Sequence, residues 1–570
     1  MSNDEIARIL LEIADLLELR GENVFKVRAY RSAGELVATY PEPLAKMDVR
    51  ALRALPGVGK DLSARIREMV ETGACAYHAE LSSEFPTTLL PLLRLQGVGA
   101  RTAALLYRAL GIRSLEDLEA AALAGRLRAV RGFGSRKEAQ ILRALEEIKL
   151  HQGRTLLAEA EQSAAAIVAA LSVRAPGVEL LTAGSARRGA ETCGDLDLLA
   201  IGGGAGVMEA FTSLPWAERI LGRGETKSSI RLANGMQADL RLVPPESRGA
   251  ALQYFTGSKA HNIALRDRAL ARGLTLNEYG LYRLDDDAQI AGADERELYE
   301  RLGLAWIPPE LRENRGEIEA AEARLLPRLI EREDLAGDLH SHTVSSDGRN
   351  DLQEMAVAAR AAGLSYLAIT DHSKSLAMAR GLDERAVSEQ TRRIRELNAR
   401  LDGITLLAGI ECDILPDGSL DLAESCLAEL DIVVASIHSA FSLDEIQMTE
   451  RMLRAIESPV VHVIGHPTGR LLLRREGYAV RLDQVLAHAA AHGVALEING
   501  QADRRDLNEM AARRARDRGV KLVVSSDAHS TNSLSLVRWG VLTARRAWLE
   551  PKDVLNTLAL PELMGRLRKR

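Results

Sequence analysis

Histidine and acidic side chains recur at the ends of short apolar runs in the C-terminal part of the chain. Nine of the twelve histidines lie after Asp334, and six of them, with three acidic residues, follow runs of strand length. These nine residues are His340, His342, Asp347, His372, Glu411, His438, His466, Asp527 and His529. Segments of helical period, such as 351–362, separate most of the runs, which predicts a parallel sheet. Seven such units predict a barrel related to the eightfold one, with its strand ends gathered at one rim.

Imidazole and carboxylate groups gathered at one rim are typical of a metal site. Nine ligands suit two or three ions, and the mixed nitrogen and oxygen set fits manganese, zinc or iron without choosing among them. Glu411 and Asp347 are the expected bridging groups. Such a cluster can bind a phosphate, lower the pKa of a bound water and stabilise a leaving oxygen. His462, His488 and His492 lie inside elements, and we expect ordinary structural roles for them.

A second acidic set lies in residues 178–243. Asp195 and Asp197 stand two apart in an apolar strand, so both carboxylates face the same side. Asn234-Gly235 predicts a hairpin whose second arm carries Asp239, a third carboxylate. An Asp-x-Asp pair alone is a weak motif, because such a pair more often lies on the surface without a function. Here it follows a Gly-Ser turn with two arginines, residues 184–189.

Phosphoryl transfer is the reaction that these parts predict together. Three carboxylates can hold two divalent ions, Mg²⁺ or Mn²⁺, while the amides of the turn, Ser185 and Arg188 hold a triphosphate. We expect Asp239 nearest the attacking primer 3′-hydroxyl. One ion would lower the pKa of that hydroxyl and the other would stabilise pyrophosphate as it leaves.

Three Gly-x-Gly segments recur at roughly forty-residue spacing in residues 1–150, and each precedes an amphipathic helix. Their glycines are Gly57, Gly59, Gly97, Gly99, Gly132 and Gly134. This geometry lets free amides at a helix N-terminus point towards a phosphate oxygen. One copy could be an ordinary helix cap, but three favour the helix-hairpin-helix pattern, which holds the DNA backbone without reading bases.

Residues 334–570 resemble the PHP family, the polymerase and histidinol phosphatase group. The matching pieces are His340-x-His342, Asp347, Thr370-Asp371-His372, Glu411, Ser436-Ile437-His438, Gly465-His466-Pro467 and Asp527-Ala528-His529. The resemblance implies a distorted (β/α)7 barrel that hydrolyses phosphoesters at a trinuclear metal centre. Arg470 is a candidate phosphate contact and equally a candidate solvated surface arginine.

The order of motifs over nearly the whole chain resembles bacterial family X DNA polymerases that carry a C-terminal PHP domain, the PolX family. The segment Tyr254-Phe255-Thr256-Gly257-Ser258, followed by His261-Asn262, matches the thumb motif of that family. The resemblance implies that Tyr254 and Phe255 pack against the nucleotide sugar and help to exclude a 2′-hydroxyl, while Asn262 contacts the incoming base. The remaining nucleotide-binding positions are Gly184, Ser185, Arg188, Gly194 and Gly257.

Two residues depart from the family pattern. Arg65 stands where the animal relatives place the lysine that forms a Schiff base, and a guanidinium cannot act as that amine. We therefore predict weak or absent lyase activity by this route. Cys193 stands where relatives often place a serine near the triphosphate, so one hydroxyl contact is lost or replaced by a weaker thiol.

The predicted fold class is multidomain, α followed by α/β. We expect a helical DNA-binding domain similar to the family's 8-kDa domain (1–80), fingers with helix-hairpin-helix motifs (81–150), a nucleotidyltransferase palm (151–252), a thumb (253–315), a charged linker (316–333) and a PHP barrel (334–570).

Composition limits the partners. The net charge of −6 over 570 residues excludes a surface that binds polyanions everywhere, so any contact with nucleic acid must be local. Four scattered cysteines form neither a disulfide framework nor a thiolate metal site. Because no run of eighteen apolar residues and no leader is evident, we expect a cytoplasmic, nucleoid-associated monomer without a membrane partner.

The predicted function is template-directed filling of short gaps in gapped or nicked DNA from dNTPs during repair. Metal-dependent removal of 3′ nucleotides or blocked 3′ ends would accompany it as a 3′-5′ exonuclease. Two alternatives remain: a PHP phosphomonoesterase tethered to DNA by the front half, and a repair scaffold whose metal sites are structural.

Overall fold

The structure, a computed structural model, describes residues 1, 3–39, 44–55, 57–95, 98–130, 133–134, 137–143, 145 and 153–567. It divides into two compact units, Met1–Gln152 and Gly153–Arg570. Within the described part of the chain, none of the helices combines the length and the apolar character needed to cross a bilayer.

The first unit is helical and is built around one apolar core. Its helices are α1 (Asn3–Arg20), α2 (Val24–Thr39), α3 (Val49–Arg53), α4 (Lys60–Thr72), α5 (Ala76–Glu84), α6 (Ala100–Leu110) and α7 (Leu115–Leu123). Helix α1 places Ile6, Leu10, Ile13 and Leu17 on one buried face, at the spacing of an amphipathic helix. These side chains join residues from both ends of the unit in a single cluster.

The described residues of the three Gly-x-Gly segments repeat one backbone hydrogen bond. In each turn the amide of the apolar residue donates to a carbonyl three residues earlier: Val58 to Leu55, Val98 to Leu95 and Phe133 to Val130, at 3.0–3.1 Å. Helix α4 begins directly after Gly59 and helix α6 directly after Gly99. The repeat that the sequence predicts is therefore a repeat of backbone geometry.

The palm is a five-stranded sheet in the order β2-β4-β7-β6-β5. The elements up to its last strand are β1 (Thr155–Leu156), α8 (Leu157–Arg174), β2 (Glu179–Thr182), α9 (Gly184–Arg187), β3 (Thr192–Cys193), β4 (Asp195–Ile201), α10 (Ala205–Thr212), β5 (Ala217–Arg223), β6 (Lys227–Leu232) and β7 (Gln237–Val243). Strands β6 and β7 form the predicted hairpin at Asn234-Gly235, where the Gly235 amide donates to Leu232 at 2.8 Å. Strand β7 then lies parallel to β4.

The thumb is a small mixed domain that follows the palm. It contains α11 (Arg248–Thr256), α12 (Lys259–Leu270), β8 (Leu274–Leu276), β9 (Leu281–Arg283), β10 (Gln289–Ala291) and α13 (Glu295–Arg301). Helix α14 (Glu317–Glu322), in the segment expected to link thumb and barrel, packs Ile318 and Ala321 into the thumb core together with Trp548. Ile330, farther along the same segment, belongs to the barrel core.

The C-terminal domain has seven parallel strands in sequential order, as the sequence predicts. They are β11 (Gly337–Asp338), β12 (Tyr366–Ile369), β13 (Thr405–Asp413), β14 (Ile432–Ser436), β15 (Val463–Ile464), β16 (Ala495–Asn499) and β17 (Leu522–Ser525). Its helices are α15 (Leu352–Ala361), α16 (Glu384–Asn398), α17 (Glu424–Leu427), α18 (Glu445–Glu457), α19 (Leu482–His492), α20 (Glu509–Asp517), α21 (Val537–Arg546) and α22 (Leu560–Arg566). A parallel bridge between Ser341 and Ala528 joins the chain beyond the first and last strands and nearly closes the barrel.

Candidate active sites

Strands β4 and β7 bring the three palm aspartates together. The parallel register pairs Asp197 with Asp239, and Asp195 stands two residues earlier on the same face of β4. Burial, together with the charges of Asp195 and Asp239, raises the pKa of Asp197 to about 6. A carboxylate that is hard to ionise beside two others is an arrangement that divalent cations stabilise.

Two neighbours of Asp239 were not anticipated from the sequence. Lys227 Nζ on β6 lies 2.8 Å from Asp239 Oδ2, and Gln237 donates to Asp239 Oδ1 at 2.9 Å. Burial opposes ionisation of Asp239, but these contacts outweigh it and lower the pKa of its carboxyl. Lys227 supplies the local positive charge. In the β6–β7 hairpin Asp239 pairs with Ser229, and Lys227 stands two residues before Ser229 on the same face of the strand. This register could have identified Lys227 from the sequence.

The turn over 184–189 is packed against the triad. Gly184 has φ +63°, and a Cβ on it would lie 2.4 Å from Asp197 Oδ2, so no larger residue fits there. Cys193 is buried and hydrogen-bonded to Ser185, and burial raises the pKa of the Cys193 thiol. Gly194 is exposed directly before β4.

Both arginines of the turn are engaged with the thumb. Arg187 forms two bonds to Glu295, at 2.8 and 2.9 Å. Arg188 donates from Nε to Glu313 Oε1 at 3.0 Å and from Nη1 to the Thr256 carbonyl. The thumb therefore holds the turn through both arginines.

The thumb motif is folded around its own aromatic pair. The rings of Tyr254 and Phe255 meet edge to face with centroids 5.1 Å apart, and the Arg241 guanidinium lies 4.3 Å from the Phe255 centroid. Asn262 donates to the Tyr254 carbonyl at 2.7 Å, which ties helix α12 to the end of α11. Gly257 lies in the turn between these helices.

The nine predicted ligands of the barrel converge at the carboxyl ends of its strands. Glu411 is central, with oxygens 3.5 Å from His340 Nε2, 2.7 Å from His372 Nδ1 and 3.0 Å from His466 Nε2. Its carboxylate also lies within 4 Å of His342 and His438. Three overlapping groups could each hold an ion: His342, Asp347, His372 and His529; His340, His342 and Asp527; and His372, Glu411 and His438.

The donor atoms of this cluster fit metal ions. His340 Nε2 and both ring nitrogens of His342 are buried and have no hydrogen-bond partner, which is costly unless a cation completes them. Although burial opposes it, the carboxylates raise the pKa of His372 to about 10 and of His438 to about 9. The carboxylates of this site therefore favour positive charge on the groups around them.

Two carboxylates outside the predicted set orient the imidazoles. Glu497 Oε1 lies 2.7 Å from His340 Nδ1, and Asp413 Oδ1 lies 2.6 Å from His438 Nδ1. An acceptor at Nδ1 fixes the tautomer that leaves Nε2 free for a cation. Glu497 could have been identified from the sequence as a carboxylate inside an apolar run, the one that forms strand β16.

The backbone is strained at two of the ligands. His466 has φ +27° and Asp527 has φ +52°. Side chains other than glycine rarely adopt this region, which costs on the order of 1–3 kcal/mol each and is common at functional sites. The Asn499 amide supports Asp527 by donating to its Oδ2 at 3.0 Å.

Arg470, for which the sequence left a phosphate contact and a solvated surface position equally open, does not contact this cluster. Its guanidinium forms two bonds to Glu191 of the palm, and it is mostly buried rather than solvated. His462 accepts from the Val433 amide at 3.1 Å, and His488 pairs with Glu457. The histidines expected to be structural thus lie outside the cluster.

In the first unit the described glycines of the repeated turns are exposed: Gly57, Gly59, Gly99 and Gly134. The apolar residues beside them, Val58, Val98 and Phe133, are buried, so each turn presents its backbone outwards. Gly97 and Gly132, also predicted to contact DNA, lie outside the described residues. The Arg65 guanidinium lies 4.0 Å from the Tyr77 ring centroid and bonds to Asp61 at 3.3 Å.

Comparisons with family models match the chain in five places. The models are the helix-hairpin-helix domain (residues 1–75), the SAM-like helix-hairpin-helix tandem (89–147), the DNA polymerase beta palm (156–208), the DNA polymerase beta thumb (251–313) and the PHP domain (338–501). Their order agrees with the order of elements described above.

Among curated proteins, the DNA polymerase/3'-5' exonuclease PolX of Bacillus subtilis strain 168 is 38% identical over 572 residues, covering 100% of both chains. A probable phosphatase of Thermoanaerobacter sp. strain X514 is 31% identical over 39% of this chain and 89% of its own length. A probable phosphatase of Shewanella sp. strain MR-4 is 33% identical over 35% of this chain and 77% of its own length.

Proposed function

Because the chain belongs to the PolX family of bacterial family X DNA polymerases with a PHP domain, we propose that its two acidic clusters catalyse different reactions on DNA. The chain is a DNA polymerase that fills gaps and a 3′-5′ exonuclease, and it uses divalent metal ions. We assign synthesis to Asp195, Asp197 and Asp239 and hydrolysis to the nine-residue cluster of the barrel.

In the polymerase site, the aspartate triad would hold two Mg²⁺ or Mn²⁺ ions, which lower the pKa of the primer hydroxyl and offset the charge of the leaving pyrophosphate. The amides of turn 184–189 bind the triphosphate together with Ser185 and Arg188. The backbone at Gly194 and Gly257 leaves room for the nucleotide. Asp239 lies nearest the primer end.

The thumb motif selects the nucleotide in this proposal. Tyr254 and Phe255 pack against the sugar and exclude a 2′-hydroxyl, and Asn262 contacts the base. The edge-to-face contact of the two rings supports this role because it gives the sugar-facing surface a fixed shape.

In the barrel, the nine clustered residues would hold two or three Mn²⁺, Zn²⁺ or iron ions, which activate a water and stabilise the leaving oxygen of a phosphodiester. Glu411 and Asp347 would be the carboxylates shared between ions. Glu411 suits this role because its two oxygens approach five different imidazoles. Glu497 and Asp413 keep the imidazoles turned towards the cations.

The chain binds DNA, and we propose gapped or nicked DNA as its substrate, with dNTPs for synthesis. The exposed Gly-x-Gly turns hold the phosphate backbone through free amides and so position the gap independently of sequence. The domain boundaries given above, a monomeric state and a place in the cytoplasm at the nucleoid belong to the same proposal.

The presence of two complete ligand clusters in one chain carries this proposal. Primer extension and 3′ nucleotide release on gapped DNA are measured for Asp197→Asn and His342→Gln. We expect Asp197→Asn to lose extension by roughly a thousandfold or more and to keep nuclease activity, with the reverse for His342→Gln.

Asp286→Asn and His488→Gln are matched controls, because both residues lie outside the two clusters. The site assignment fails if extension survives the first substitution or if purified His342→Gln still releases nucleotides.

The likeness of the barrel to probable phosphatases supports a second candidate activity, hydrolysis of small phosphomonoesters. Release of phosphate from free monoesters faster than nucleotides from DNA would favour it. The reverse order of rates would assign the barrel to DNA ends.

A further inference from the structure

The turn over 184–189 rests directly on the C-terminal domain. Gly189 faces helix α21, and a Cβ at this glycine would lie 2.6 Å from Leu542 Cδ1. Such a close approach leaves no space for a side chain or a water molecule. The turn is therefore positioned by the barrel domain as well as by the palm and the thumb.

Arg546, at the end of α21, is bonded to the turn in two ways. Its Nη1 donates to the Arg188 carbonyl at 2.7 Å, and its Nη2 donates to Glu313 Oε1 at 3.1 Å. The same Glu313 oxygen accepts from Arg188 Nε. Arg546 thus holds both the backbone of residue 188 and the carboxylate that binds its side chain. Glu509 also accepts from Nη2, at 3.1 Å, and balances the charge of the buried guanidinium.

Two more arginines of the barrel domain continue this contact. The buried Arg505 donates to the Gly189 carbonyl at 3.1 Å, and Arg470 forms its bidentate pair with Glu191. The barrel domain therefore bonds to residues 188, 189 and 191. Charge-assisted and bidentate bonds of this kind fix geometry more closely than neutral contacts do.

We propose that the PHP domain completes the nucleotide site of the polymerase, with Arg546 as a positioning residue for the triphosphate turn. The inference rests on the proposed function, in which that turn binds the triphosphate. For Arg188 to contact a triphosphate, it must leave Glu313. Arg546 remains beside Glu313, so the exchange does not leave this partly buried carboxylate without a partner, which would be costly.

The test compares Arg546→Met with Arg545→Met in the full-length chain. Arg545 is the matched control because it is the preceding residue of α21 and pairs with Glu310, without contacting the turn. We expect Arg546→Met to raise the KM for dNTP about tenfold, with kcat within twofold and nuclease activity unchanged. Arg545→Met should leave the KM unchanged, and Arg546→Lys should restore part of the loss. Equal KM values for the two methionine variants would overturn the inference.

Further variants separate this inference from the proposed function. If Ser185→Ala and Arg188→Met leave the KM for dNTP unchanged, the assignment of the turn to the triphosphate is wrong. If they raise the KM while Arg546→Met does not, only the positioning role of Arg546 fails.

If Arg546→Met does not fold, Glu191→Gln tests the proposal instead. A lowered Tm together with the loss of both activities would show that Arg546→Met does not fold. The Glu191→Gln substitution keeps the side-chain shape, weakens the pair with Arg470 and removes a negative charge near the buried Arg505. An increase of two- to fivefold in the KM for dNTP would support the proposal, and an unchanged KM would overturn it.

Discussion

Glu497 contacts two ligands of the barrel cluster from inside strand β16. Its Oε1 meets His340 Nδ1, and its Oε2 accepts the backbone amide of His466 at 2.6 Å. The carboxylate is fully buried. A buried charge of this kind is tolerated only where partners satisfy it, and two of its partners here, His340 and His466, are predicted metal ligands, while the Asn499 amide donates to Oε2 at 3.2 Å. Glu497 therefore prepares the cluster without belonging to it.

Glu497→Gln should weaken the barrel site while leaving the polymerase site unchanged. The amide holds the His340 ring less firmly and no longer favours the tautomer with a free Nε2, so metal affinity and nuclease activity should fall by about 10–100-fold. Metal content of the purified chain and nucleotide release from single-stranded DNA measure the two effects.

Glu457→Gln is the matched control for this change, because Glu457 pairs with the surface residue His488. Full metal content and normal nuclease activity in Glu497→Gln would show that the contact to His340 has no functional role.

At the scale of elements, one turn and two strands create the polymerase site. The parallel pairing of β4 with β7 sets Asp197 beside Asp239, and the left-handed Gly184 brings the turn against the same carboxylate. A shift of β7 by one residue would turn Asp239 to the other face of the sheet. The Asn234-Gly235 hairpin and the continuous ladder of seven residue pairs between β4 and β7 prevent that shift.

Gly184→Ala should abolish most polymerase activity. The added methyl would meet Asp197 Oδ2 at 2.4 Å in a backbone conformation that alanine rarely adopts. Displacement of the carboxylate by about an ångström should lower kcat/KM for dNTP by roughly 100-fold. Primer extension under single-turnover conditions measures it.

Gly177→Ala separates strain from the steric clash. Gly177 also has a positive φ, +87°, but no atom lies within 4 Å of its added Cβ. The control should lose some thermal stability and keep its activity. Equal activity of the two variants would contradict the role given to the contact with Asp197.

At the scale of the whole molecule, ionic contacts connect the barrel domain with the palm and thumb. Glu509 lies among them, 3.1 Å from Arg546 and 3.4 Å from Arg315. Burial raises the pKa of Glu509, but the charge and hydrogen bond of Arg546 outweigh it and lower the pKa to about 2. Because this pKa lies below that of an unfolded chain, Glu509 stabilises the fold fully above about pH 4.5.

The stability that Glu509 contributes should therefore be lost as the pH falls from about 4.5 towards 2. Glu509→Gln should lower the free energy of unfolding near pH 7 by about 2 kcal/mol and make it less dependent on pH between 5 and 3. Thermal unfolding at several pH values measures the difference, with Glu457→Gln as an exposed control. Parallel pH profiles for Glu509→Gln and the unchanged chain would refute the assignment.

The sequence predicted much of the fold because its signals are local. Six apolar runs with ligand-type ends and a seventh run that ends at Asn499 predicted the seven strands. Asn234-Gly235 predicted the palm hairpin, and three Gly-x-Gly segments predicted the repeated turns. The structure also brings together the three aspartates and the nine barrel residues that were selected. It differs at Arg470, for which a phosphate contact and a solvated surface position were left equally open and which instead pairs with Glu191.

The types of side chain, their positions at strand ends and the helical or extended period are determined by the sequence alone, because each depends on residues a few positions apart. Contacts over long distances in the chain were decided only by the tertiary structure. Lys227 beside Asp239, Glu497 beside His340 and Arg470 beside Glu191 depend on how strands and domains pack, and Arg470 and Glu191 are 279 residues apart. The sequence does not show which distant residue a charged side chain will contact. Only the packing of the folded chain could therefore show which carboxylates orient ligands and which arginines hold the nucleotide turn.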